Sequence, residues 1–460
     1  MISLMQHRFL LPGCVVVIAL AVSAVTFPDG AVGIGMVFSL SSLAIFILRR
    51  YTDEKEFITN IFLLGLALRM GFGVIIYIFD LQSFFGGDFV AYDTNGMALS
   101  EFWLGHNDLT QTLLDYNNPI SGAGWGMNYL TGVIYFVLGH NLFAAQSFCA
   151  VIGASTPPLV YYCSNKIYNN TRVSKSAAIA VALFPSFIIW SGQLLKDGLI
   201  VFLLVLAMTM VLELQRKFGY GPLVLLIMAM FGILSLRFYI FYMVAVAVAG
   251  SFIVGLSSTK RSIIRSTIIL ALVGLALSYL GVGRQANVEI PTFVNLDRIQ
   301  ASRSDLARSA GSGFGEELDV STTEGALTAL PIGFTYLMLA PFPWQAANIR
   351  QAITIPEILV WYGMIPFIIS GLIYTIKNKL RNAFPILIFS LMLTIAYSVF
   401  QGNVGTAYRQ RTQIQVFLFI LIGVGWTVYQ EKRENKRILQ EAERKQMDVR
   451  LAARRKAINT

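Results

Sequence analysis

The residues that could do chemistry in this chain fall into four short polar stretches between long apolar ones. "GGDFVAYD" puts Asp88, Tyr92 and Asp93 just past an apolar run. Lys196 and Asp197 occupy a tight turn in "PSFIIWSGQLLKDGLI", and Arg237 and Tyr239 another in "SLRFYIFY". Arg409 and Arg411 precede the last apolar run in "GNVGTAYRQR". A carboxylate such as Asp88 can take the proton of an attacking hydroxyl. Arginine forks are shaped to hold phosphate oxygens in pairs. Together these are the two halves of sugar transfer from a polyprenyl phosphate, whose tail stays in the bilayer while its sugar sits at the surface.

The elements that must position these residues are membrane helices. The 460 residues are 56% hydrophobic and 13% charged, about half the charge of a soluble protein. The expected class is therefore all-α, a polytopic membrane protein. Apolar runs recur at roughly 10–26, 31–48, 57–79, 142–163, 175–192, 198–214, 221–236, 238–256, 263–282, 355–375, 383–400 and 413–429, which predicts about 12 transmembrane helices. The first run follows Arg8 and has features of a signal peptide, but the next run comes within a few residues and the pair reads as a hairpin.

Connectors such as "RRYTDEKE", "NKIYNNTRVSK", "STKRSIIR" and "KNKLRN" carry at least two Lys or Arg each. By the positive-inside rule they lie in the cytoplasm, with both termini, in the cell (inner) membrane. All four polar stretches then fall at the outer boundary. Residues 1–56 read as two extra helices and 57–282 as the core, with an acidic first outer loop at 80–141. Residues 283–354 read as a second outer loop, 355–429 as C-terminal spans and 430–460 as a basic tail. Two leftover apolar stretches, near 125–139 and 326–344, are marginal for a crossing and are expected to be re-entrant or interfacial at the outer face. The tail has ten Lys or Arg against five acids. It is expected to lie on anionic membrane lipids, and no nucleic acid is needed to explain its charge. The three cysteines have no metal or disulfide spacing, and three histidines make a histidine metal site improbable. No metal and no cofactor are expected.

At this point residues 57–214 resemble the membrane-embedded GT-C glycosyltransferases, in particular the bacterial branch related to protein O-mannosyltransferases, aminoarabinose transferases and rhizobial galacturonosyltransferases. The resemblance is carried by "GGDFVAYD", by "WGMNYLTGVIYFVLGHNLFAAQSFCAVIGASTPPLVYYCSNKIY" and by "AAIAVALFPSFIIWSGQLLKDGLIVFLLVLAM", about a third of the chain. It implies that Asp88 is the catalytic base and that Asp197 is the second acidic position of the family. It further implies a polyprenyl-phosphate-linked sugar as donor and an extracytoplasmic glycan, lipid or protein as acceptor. The chain departs from the pattern in its two extra N-terminal helices and in the five-residue spacing of Asp88 and Asp93.

Each candidate also has a plainer role. Asp88 could cap a helix starting near Phe89. Asp93 could be a helix-surface residue or a substrate hydrogen-bonding group. Tyr92 could orient Asp88 or belong to the interfacial aromatic belt. Lys196 and Asp197 could pair with each other. Arg237, Tyr239, Arg409 and Arg411 could bind the donor, or the arginines could snorkel to headgroups. Arg69, in mid-span, should face protein and have a partner. The rival functions are a polysaccharide polymerase or O-antigen ligase using a polyprenyl diphosphate, and a transporter or flippase of lipid-linked saccharide.

Overall fold

The structure is a computed structural model that describes residues 28–106, 124–254, 260–282, 295–308, 312–345 and 348–458. The expected span at 10–26 lies outside them. In chain order the helices are α1 (Pro28–Leu48), α2 (Lys55–Ile78), α3 (Asp88–Trp103), α4 (Trp125–Leu138), α5 (Leu142–Tyr168), α6 (Thr171–Leu183), α7 (Pro185–Ser191) and α8 (Lys196–Arg216). They continue with α9 (Tyr220–Leu236), α10 (Phe238–Val254), α11 (Lys260–Tyr279), α12 (Leu296–Arg308), α13 (Thr323–Leu339), α14 (Ile349–Phe400) and α15 (Val404–Ile458). No strand occurs among the described residues, only one isolated bridge between Gly313 and Asn403.

Six of these helices are long and apolar enough to cross a membrane: α1, α2, α5, α8, α14 and α15. The chain is an all-α membrane protein. A seventh candidate is the pair α6 and α7, bent by 57°. Its break is local chemistry. Pro185 disfavours helical backbone at the residue before it, and Phe184 is accordingly extended at φ −72°, ψ 122°. The runs expected at 355–375 and 383–400 are joined in α14, which departs from helical geometry at Lys379. Helices α9 and α10, with 17 residues each, are shorter apolar helices.

The core is a bundle centred on α5, α8 and the first half of α15, with one face of α9 buried against it. Helices α14 and α15 approach each other closely. A Cβ on Gly371 would lie 2.0 Å from the Leu421 carbonyl oxygen, and one on Gly425 would lie 2.0 Å from that of Phe367. Membrane helices gain little from apolar burial alone, so such backbone-to-backbone packing is what holds them. The stretches near 125–139 and 326–344 hold α4 and α13, of 14 and 17 residues. The first packs along α3, and the second against α14 and α15.

Basic connectors gather at one end. There Lys175 meets Glu54 at 2.9 Å, Arg172 meets Glu434 at 3.2 Å, and Arg265 donates to the Arg216 carbonyl at 3.0 Å. The helix breaks before α3, α8, α10, α14 and α15 gather at the other end, around one cavity. Arg69 is buried within the bundle, where its Nε donates to Ser191 Oγ at 2.7 Å and its Nη1 to the Gly65 carbonyl at 3.0 Å. Its partners are a hydroxyl and a helix carbonyl.

Substituting Gly425 with Leu is expected to force α14 and α15 apart, destabilising the protein by about 1–3 kcal/mol or more. Thermal unfolding in detergent micelles measures it; an unchanged midpoint would contradict the close crossing.

Candidate functional site

Five helix termini build the site. Asp88 is the first residue of α3, following Gly86 and Gly87. Lys196 and Asp197 open α8 after the extended Leu195. Arg237 sits in the extended break between α9 and α10, its N–H donating to the Ile233 carbonyl at 2.7 Å. Asn348 caps α14 through a 2.9 Å bond from Gln351 N, and Asn403 caps α15 through a 2.7 Å bond from Gly405 N. Asparagine at such positions satisfies helix N–H groups that have no carbonyl partner of their own. These caps fix where Arg350 and Arg409 stand.

The centre of the site is Asp197. Its side chain has no solvent exposure and is bracketed by two arginines from distant parts of the chain: Arg237 Nη2 donates to Oδ1 at 3.1 Å, and Arg409 Nε donates to Oδ2 at 2.5 Å. Arg409 is also shared. Its Nη1 reaches Asp88 Oδ2 at 2.8 Å, and the Asp88 side chain is half exposed. One guanidinium therefore links an enclosed carboxylate to an open one. Arg409 Nη2 is buried with no hydrogen-bond partner among the described residues, and the Arg237 guanidinium also lies beside Tyr239 and Tyr397. The Arg409 guanidinium also lies 5.7 Å from the Trp190 ring centroid, a cation–π contact.

In front of this ion-pair chain lies a cavity of about 700 Å³. Asp88, Lys196, Arg237 and Arg409 all line it, with Trp190, Tyr408 and Arg350. Tyr92 is buried behind Lys196, whose Nζ lies 5.8 Å from its ring centroid. Burial first, and then the charges of Asp88 and Asp197, push the Tyr92 phenol above its usual range, so it stays protonated. Asp88, Tyr92, Lys196, Asp197, Arg237 and Arg409 thus meet in one place, as the sequence reading requires. Lys196 and Asp197 do not form an ion pair with each other; Asp197 is taken by the arginines.

Two expected site residues, Asp93 and Arg411, sit elsewhere, and Tyr239 lies beside Arg237 but opens on a second cavity. Asp93 faces α4, where it accepts from Tyr135 Oη and lies 3.0 Å from His140 Nε2. Tyr239 lines a separate cavity of about 310 Å³ together with Tyr397 and Phe400. The arginine doublet divides. Arg411 is fully buried, and its Nη1 donates to the Met338 and Ala340 carbonyls, both at 3.0 Å, where α13 ends. Its guanidinium also lies 5.1 Å from the Tyr408 ring. Two residues apart on a helix, Arg409 and Arg411 point about 200° around the axis from each other, which is why one faces the cavity and the other anchors α13.

Glu357 and Arg350 were missed. Glu357 is 5% exposed; it accepts from Ser186 Oγ and, at 2.8 Å, from Tyr408 Oη. An acid inside an apolar run is itself a signal of function or pairing. Arg350 lies in "NIRQAITIPEIL", before an expected span, and carries no motif. As for a metal, Asp88 and Asp197 face a shared guanidinium instead of a common vacancy, and no group of three His, Cys, Asp or Glu among the described residues is arranged to hold an ion.

Replacing Arg409 with Met leaves Asp197 buried with Arg237 alone, and is expected to cost about 3–5 kcal/mol of stability. Combining it with Asp197→Asn should recover much of that loss. Thermal unfolding of the single and double variants decides; additive losses would mean the pair is not coupled. No family model matches the chain, and no curated protein matches it.

Proposed function

We propose that the chain is an integral-membrane glycosyltransferase that moves a sugar from a polyprenyl-phosphate-linked donor to an extracytoplasmic acceptor in cell-surface glycan synthesis. The observation that carries this reading is a half-exposed carboxylate, Asp88, paired with Arg409 and set beside Arg237, all three lining one cavity. The basic connectors at the opposite end of the bundle favour placing this cavity on the outer side.

In this reading the acceptor hydroxyl enters the open part of the cavity beside Asp88. Its oxygen attacks the anomeric carbon of the sugar as the bond from that carbon to the phosphate oxygen breaks. The hydroxyl proton passes to the Asp88 carboxylate, and the electron pair of the broken bond leaves on the lipid phosphate. The guanidiniums of Arg409 and Arg237, both of which line the cavity, would stabilise that developing charge. A preorganised donor in a site shielded from water stabilises such charge more than it would in bulk solvent. Asp197 holds both guanidiniums in place and has no exposed surface with which to touch substrate, so it acts as a positioning residue. Trp190 and Tyr408 offer flat faces against which a sugar ring can pack.

Asp88→Asn is isosteric and removes the base. With protein reconstituted in nanodiscs and a panel of polyprenyl-phosphate-linked hexoses as donors, it is expected to lower kcat by about 10²–10⁴-fold while changing KM for the donor little. Transfer at the parent rate would end the assignment of Asp88.

A further inference from the structure

The start of α15 carries a run of uncharged hydrogen-bonding side chains that the transfer chemistry does not use. Asn403, Thr406 and Gln410 are spaced three and four residues apart, so they share one face of the helix, and all three line the cavity in front of Asp197. Gln410 also lines the second cavity, of about 310 Å³, so the two spaces meet at its side chain. Each amide has one end already engaged. Asn403 Oδ1 accepts from Gly405 N at 2.7 Å and from Ser312 Oγ at 3.0 Å, which leaves Nδ2 for a ligand. Gln410 Oε1 accepts from Gln401 Nε2, which leaves Gln410 Nε2. Seven residues of helix separate these two donors by about 10 Å, a span that a pair of linked pyranose rings can cover.

The second cavity continues the pattern. Tyr239 and Tyr397 meet edge to face there, their ring centroids 6.3 Å apart and their planes at 79°, so the two rings form a corner. On the side of α12, Arg298 and Ser302 are exposed and Ile299 is buried. Small-molecule sites start at roughly 300 Å³, so this cavity is sized for a single ring. Aromatic faces suit the C–H faces of a sugar, and amides suit its hydroxyls, which both donate and accept. An isoprenoid chain fits the set poorly. It could use the aromatic corner, but it would cover Gln410 Nε2 without giving it an acceptor, which is unfavourable, and it would have to pass the polar residues of α12.

We propose that the acceptor is an uncharged oligosaccharide whose terminal ring stands beside Asp88 and whose chain follows Asn403, Thr406 and Gln410 into the second cavity. This rests on the transfer reading above and names the class of its acceptor. Asn403 and Gln410 touch no reacting atom; they determine which acceptor is held, by binding rings beyond the one that reacts.

Binding to the full chain in nanodiscs, with no donor present, tests this. The probes are methyl glycosides of neutral hexoses and of their di- and trisaccharides, with farnesol and a serine-containing hexapeptide beside them, titrated by saturation-transfer NMR. At least one trisaccharide should bind about tenfold tighter than its own monosaccharide, as one or two added neutral hydrogen bonds would give. Gln410→Leu removes the donor, and Ser302→Trp fills the second cavity from an exposed position that the fold does not depend on. Each should cut the length advantage to about threefold or less and leave monosaccharide affinity unchanged. No length advantage in any series, or one that survives both variants, overturns the inference, and so does binding of farnesol or the peptide that Ser302→Trp abolishes. A length advantage without sugar transfer in the assay above leaves the saccharide site standing and overturns the transfer reading. Transfer with no length advantage does the reverse.

Discussion

The organisation of this end of the molecule depends on one buried negative charge. Asp197 has no contact with water, and an uncompensated carboxylate in such a place would cost far more than the fold could bear. Its two arginines come from the break between α9 and α10 and from the start of α15, more than 170 residues apart in the chain. Satisfying Asp197 therefore requires three separate helix ends to arrive together. Once they do, a second nitrogen of Arg409, Nη1, falls within reach of Asp88 and ties α3 to the same point.

This arrangement explains why the polar residues sit at helix breaks. In the middle of a span, backbone groups are already bonded within the helix and charged side chains face lipid or protein. At a break, the chain supplies extended residues such as Leu195 and Arg237 and asparagine caps such as Asn348 and Asn403. Those features let a short polar segment present a side chain sideways into a cavity. The deeper network of Glu357, Ser186 and Tyr408 supports the same wall from behind, because Tyr408 both bonds Glu357 and lines the cavity.

Much of this was readable in the sequence. The apolar runs announce the helices, and helices occupy each expected segment from 31–48 onward. The polar stretches between them announce Asp88, Lys196, Asp197, Arg237 and Arg409 as residues with reason to meet. What could not be read was direction. Arg409 and Arg411 look equivalent as letters, yet a two-residue step on a helix sends one to the cavity and the other to the carbonyls at the end of α13. Asp93 lies one residue from Tyr92, but its partners, Tyr135 and His140, belong to a helix pairing with no sequence signature. The partner of Arg69 was expected and is a serine in the broken segment after Pro185; no charge pattern points to it. Glu357 was overlooked as a lone acid inside an apolar run, and Arg350 as part of a short polar stretch before it that carries no motif.

Helix α15 carries Arg409 near its start and runs without interruption for 55 residues to the end of the basic tail. At 1.5 Å per residue it is a rod about 80 Å long, far longer than the roughly 30 Å hydrocarbon layer. Arg409 and the charged extension are thus near the two ends of one rod. Pivoting that rod by about 5° at its midpoint would sweep each tip through roughly 3 Å, comparable to the full length of a hydrogen bond. A tilt of the whole helix would therefore be felt at both ends, in the extension and in the Arg409–Asp197 pair.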